Sequence, residues 1–197
     1  MTRFLSVATL VALLFSTSAC AQNAADTHAI NQAVSAAPDD MKEGAKVLAY
    51  NDNGTYRTIR EGTNDLVCTA DDPARDGFET ACFQADLEAY ITRGRELRAE
   101  GMNGQETVTQ RGEEIASGVL SFTEGPATQY IRYGEEASYD EASGEVMNSS
   151  LRYVIYSPYA TAESTGLSTQ PMGPGAPWIM DSGGWRAHIM IIPASGN

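Results

Sequence analysis

Apolar and polar positions repeat in two ways along this chain, and the period changes twice. From Lys46 to Cys68 they alternate, so 46–50, 55–60 and 65–68 read as strands. Asn51-Asp52-Asn53-Gly54 joins the first two. Its Asn-Gly pair favours a type I′ hairpin, in which both central residues need positive φ. Over 83–100 the period becomes helical. Phe83, Leu87, Tyr90, Ile91 and Leu97 share one face, while Asp86, Glu88, Arg93, Arg95 and Arg98 point elsewhere. Gly101 and Asn103-Gly104 stop that helix. A second, more polar helix is predicted over 105–117, apolar at Val108, Ile115 and Ala116 and capped by Gly118. Its Glu113-Glu114 pair diverges by about 100° and reads as a solvated face. From Val119 the pattern is β again: a short strand or run-in at 119–122, then strands at 128–133, 151–156 and 187–192. Residues 135–150 are acidic and turn-rich. Residues 161–184 form a long Gly/Pro loop that carries Trp178-Ile179-Met180 as one short buried strand.

Strands gathered around one helical block, without strict β-α alternation, predict an α+β fold. The expected architecture is a single domain over 37–197. One mainly antiparallel sheet carries two central helices, 83–100 and 105–117, packed on one face. Before it, 21–36 reads as a tether, Gln22–Asp26, and a short helix. That helix is capped by Asp26 or Thr27, is apolar at Ile30 and Val34, and ends at Pro38. Its His28 reads as solvated.

Residues 1–20 read as an export signal: Arg3, an apolar run from Phe4 to Phe15, then small residues. Two processing routes fit. Ala19-Cys20-Ala21 is an A-x-A site cut before Gln22. Thr17-Ser18-Ala19-Cys20 resembles a lipobox, which would leave Cys20 as a lipidated amino terminus. The chain has three cysteines. Cys68 and Cys82 make a plausible disulfide in an exported protein, and Cys20 is left over where a lipid would attach. The expected product is a bacterial periplasm-facing lipoprotein or a soluble periplasmic or secreted protein.

The net charge of −13 excludes nucleic acid as a partner. Membrane contact is expected only through a lipid on Cys20. The loop between the paired cysteines holds Asp71, Asp72, Asp76 and Glu79, a weak calcium candidate set. A solvated loop, with Asp72-Pro73 and Asp76-Gly77 as turns, is the favoured reading, and no metal or cofactor is assigned.

Three blocks resemble a family of uncharacterised exported bacterial proteins of about this length: Ala36-Ala37-Pro38, REGTN-x₃-C from Arg60 to Cys68, and GAPWIMD with AHIMIIP near the carboxyl end. Similar sequences often carry an aromatic just before the cysteine, where this chain has Asn64-Asp65-Leu66-Val67. The resemblance implies that the blocks share one domain, and it brings no activity or catalytic residue.

No P-loop, dinucleotide fingerprint, H-E-x-x-H or G-x-S-x-G is present. The favoured function is a non-enzymatic binding or structural module of the envelope, whose partner is an envelope protein or a small molecule. Tyr130, Tyr153, Tyr156, Trp178 and Trp185 are the ligand-pocket candidates. The alternative is a small hydrolase-like enzyme using His188 with Asp181 and Arg186 beneath the 161–184 loop. Discrimination rests on whether His188 faces a cleft.

Overall fold

The computed structural model describes residues 14–194, with side chains from Ala24 onward. Residues 1–13 of the expected export segment and the side chain of Cys20 lie outside the described residues. The first helix, α1, runs Leu14–Ala33 and continues into a 3-10 turn at Val34–Ala36. The expected tether at 22–26 is therefore helical. Asp26 caps nothing and pairs with Arg57 at 2.8 Å.

Among the described residues ten strands follow: β1 Lys46–Tyr50, β2 Tyr56–Arg60, β3 Leu66–Thr69, β4 Phe78–Gln84, β5 Ala127–Gly134, β6 Ser138–Asp140, β7 Glu145–Met147, β8 Ser150–Tyr156, β9 Trp178–Met180 and β10 His188–Ile191. Three further helices are α2 Glu88–Ala99, α3 Gly104–Ala116 and the single turn α4 Ala162–Thr165. Eight strands form one sheet in the order β2-β1-β3-β4-β5-β8-β10-β9, and β6-β7 is a separate hairpin. Every neighbouring pair in the large sheet is antiparallel except β1 with β3. The fold is thus a single α+β domain with a mainly antiparallel sheet.

Pleating sends alternate residues to opposite faces. On one face Val67, Phe83, Val154, Met190 and Trp178 meet Leu87 and Tyr90 from the start of the helical block. On the other, Val47, Ala49, Leu66 and the two cysteines meet Ala33 and Ala36 at the end of α1. Small residues there let the chain lie close to the sheet. The two central helices do pack on one face, but the opposite face has a cover of its own. Cys68 sits directly across from Cys82 in the β3/β4 register, and the two form a disulfide.

Four boundaries differ from the sequence expectation. Phe83 belongs to β4, a strand inside the segment expected as loop and helix. Its spacing to Leu87 fits a helix, but the chain enters a 3-10 turn at Ala85 first. The β1/β2 turn is not type I′. Gly54 alone has positive φ, +78°, and its N–H donates to Asn51 O at 2.9 Å. That is an ordinary turn followed by a left-handed glycine. Residues 119–122 form no strand. Within 135–150, β6 and β7 make the separate hairpin.

Candidate functional site

His188 lies on β10 opposite Tyr156, on the sheet face that carries α2, and is 8% exposed. Its Nδ1 is 2.8 Å from the carbonyl oxygen of Arg186, which fixes that nitrogen as the donor. Asp181 Oδ2 is 4.0 Å away and is taken by Arg186 Nε at 2.8 Å. The ring packs on Tyr156, with centroids 5.6 Å apart. Burial pulls the imidazole below its ordinary pKa, so it is held neutral. A base needs an open path to a substrate proton. His188 lines no cavity described below, and Ser182 Oγ accepts from Ala162 N. The structure does not assemble the expected acid–base constellation.

The acidic loop is likewise committed internally. Asp72 is buried, accepts from Arg95 Nη2 at 2.9 Å and holds Ala74 N at 3.0 Å. Asp71 accepts from Glu79 N at 2.9 Å, and burial raises its pKa. Glu79 lies near Arg75 and Arg152. Arg95 pairs with Asp72, Asp76 is exposed, and among the described residues no three metal-ligating side chains cluster.

A cavity of about 490 Å³ lies between the sheet and α2. Ala81, Gln129, Tyr133 and Tyr156 face it from the sheet. Tyr90, Ile91, Gly94 and Arg98 face it from α2. Arg111 of α3 enters over the notch that Gly94 leaves: a Cβ there would lie 2.7 Å from Arg111 Nη1. The cavity is elongated. Tyr133 pairs with Glu79 beside the acidic loop, whereas Tyr156 pairs with Ala127. Six residues of β5 separate these levels, about 20 Å. One end therefore carries carboxylates, and the other carries Gln129, Tyr156, Arg111 and Arg186.

Arg111 is 8% exposed. Its Nη1 donates to Tyr90 O at 3.1 Å and its Nε to Thr107 O at 3.4 Å. The guanidinium stacks 3.8 Å from the Tyr90 ring centroid. It makes no ion pair among the described residues. The nearby Glu114 is spent on a bidentate bond with Arg93. Burial lowers the Arg111 pKa, yet guanidinium stays charged in proteins. Burial raises the Tyr156 phenol, so its hydroxyl keeps its proton.

Of the aromatic candidates, Tyr156 lines this cavity. Tyr130 and Tyr153 pair on the opposite sheet face, with centroids 5.6 Å apart. Trp178 is core, and Trp185 packs against Gly112 and Phe122. The 161–184 loop contributes nothing to the cavity walls. It is pinned by Gly183 N to Ala160 O and Gly175 N to Ile192 O, both at 2.7 Å. Arg111 and Gly94 went unnoticed in the sequence, although a signal existed. Arg111 falls between Val108 and Ile115 on the apolar stripe of its helix, and Gly94 falls on the Tyr90–Ile91 stripe.

No family model, curated protein or solved structure matches this chain.

Proposed function

We propose that this protein is a non-enzymatic binding module of the bacterial envelope, exported by the signal at its amino end, and that the cavity between sheet and α2 holds a small ligand. The observation that carries the reading is the polar side chains left open in that cavity, together with a His188 packed away from it. The volume falls in the range of small-molecule sites. The export motif, the disulfide and the resemblance to exported bacterial proteins support the location. Among the described residues no helix is long and apolar enough to cross a membrane; the lipobox-like stretch Thr17-Ser18-Ala19-Cys20 supports a lipid on Cys20 as the proposed anchor.

A thermal-shift screen of metabolites tests this on wild type, Ala81→Leu and His188→Phe. Ala81 is on the cavity floor, and a larger side chain there takes up ligand space. A stabilising metabolite should lose its effect in Ala81→Leu and keep it in His188→Phe. The reverse pattern would favour the hydrolase reading.

A further inference from the structure

Gln129 is 9% exposed, lies on the sheet floor of the cavity, and its side-chain amide has no hydrogen-bond partner among the described residues. A buried amide without a partner is destabilising. Arg152 Nε is the one side-chain nitrogen or oxygen that is both fully occluded and unpartnered among the described residues. The Gln129 amide is therefore not sealed in protein; it opens into the cavity. Arg111 Nη2 is in the same condition, since its Nε and Nη1 are satisfied by carbonyls and Nη2 has no protein acceptor. Tyr156 brings a protonated phenol to the same end. Arg186 stands there too, already neutralised by Asp181.

This end thus offers several donors and one buried cation without a counter-ion. An unpaired buried charge is costly unless something of opposite sign meets it. With Nε and Nη1 already bonded, Nη2 can take one oxygen of a two-oxygen acceptor, which leaves the other for a neighbouring donor. Arg186 is compensated, and Arg98, which also lines the cavity and makes no ion pair among the described residues, adds to the positive charge near Arg111, so the site favours an anion. The cavity is far larger than one headgroup, and its remainder sets Ile91, Ala81 and Tyr133 beside Asp71, Asp72 and Arg95, so the ligand carries an organic body with polar groups of its own.

We infer that this end of the cavity binds the carboxylate of a small organic acid, with Arg111 Nη2 and the Gln129 amide as its donors. The inference rests on the binding-module reading and narrows it to a ligand class. The carboxylate supplies the missing counter-charge to Arg111 and the missing acceptor to Gln129.

Isothermal titration with benzoate and succinate, against benzamide, succinamide and inorganic phosphate, tests it. The wild type should bind a carboxylate and discriminate against its amide at least about tenfold. Gln129→Leu keeps the volume and should weaken carboxylate binding about tenfold, with an unchanged circular dichroism spectrum. Arg111→Lys keeps the charge, loses the fork and should weaken it as well. Amides binding as tightly as carboxylates, or Gln129→Leu without effect, would overturn the anion inference and leave cavity binding standing. Phosphate outcompeting both acids would overturn the carboxylate assignment. No binding by either acid would also overturn it, and the metabolite screen then judges the broader reading separately.

Discussion

A methyl group on Gly94 would meet Arg111 Nη1 at 2.7 Å. Alanine is the better helix former by about 1 kcal/mol, so Gly94→Ala should stabilise α2 if propensity alone mattered. The clash should outweigh that gain, and we predict net destabilisation of about 1–3 kcal/mol in urea unfolding. An unchanged or raised midpoint would mean that Arg111 is not held in that notch. His188 gives a prediction in pH. Its folded pKa lies below its unfolded value of about 6.5, so the unfolded chain takes up the proton first. Stability should therefore fall as pH drops below about 6.5 and level off below the folded pKa. His188→Phe should flatten this decline below pH about 6.5, whatever it does to the baseline. At this scale the sequence was legible where one residue type has one common reading. Cys68 and Cys82 pair, and His188 falls inside a β pattern. Arg111 was hidden because a lone arginine on an apolar stripe is ordinarily read as a snorkelling surface residue.

The helical pair is joined by contacts that sequence spacing does not announce. Arg93 of α2 grips both oxygens of Glu114 on α3 at 2.9–3.1 Å, and also reaches Glu96 and Glu100. That bond, above all, holds the Glu114 carboxyl below its ordinary pKa. Its contribution is present above the unfolded carboxyl value and is lost as pH falls through the folded one. Glu114→Gln should cost about 1 kcal/mol at neutral pH and less in acid, measured by unfolding at both. At the head of α3, Asn103 and Glu106 form a reciprocal capping box. Asn103→Ala should lower stability by about 1 kcal/mol. Element type was readable wherever one period dominated, as in β1, β5, β8 and α3. It failed over 78–84, where residues on both sides of β4 are buried and alternation vanishes. It failed again over 22–26, where a polar stretch gives no apolar stripe yet the chain is already helical, whereas the short helix expected after it is present.

For the whole molecule, the disulfide ties β3 to β4 at the middle of the sheet, directly under the α1 cover. Replacing both cysteines with alanine should cost about 3 kcal/mol, read from the denaturation midpoint. An equal midpoint would show that the sheet needs no covalent pin. The α+β class was legible because strands and helices fall in blocks. The cavity was not, because it joins α2, α3, β4 and β5, and only the tertiary packing brings Gly94, Arg111 and Gln129 together. The central claim is that this cavity, not the His188 region, is where the protein meets its ligand. A backbone amide NMR map, recorded with and without a stabilising metabolite, tests it most directly. The account predicts shifts at Ala81, Gly94, Gln129 and Tyr133, with Asp181 and His188 moving least. Shifts concentrated at Asp181 and His188, with the sheet–α2 cavity silent, would contradict it.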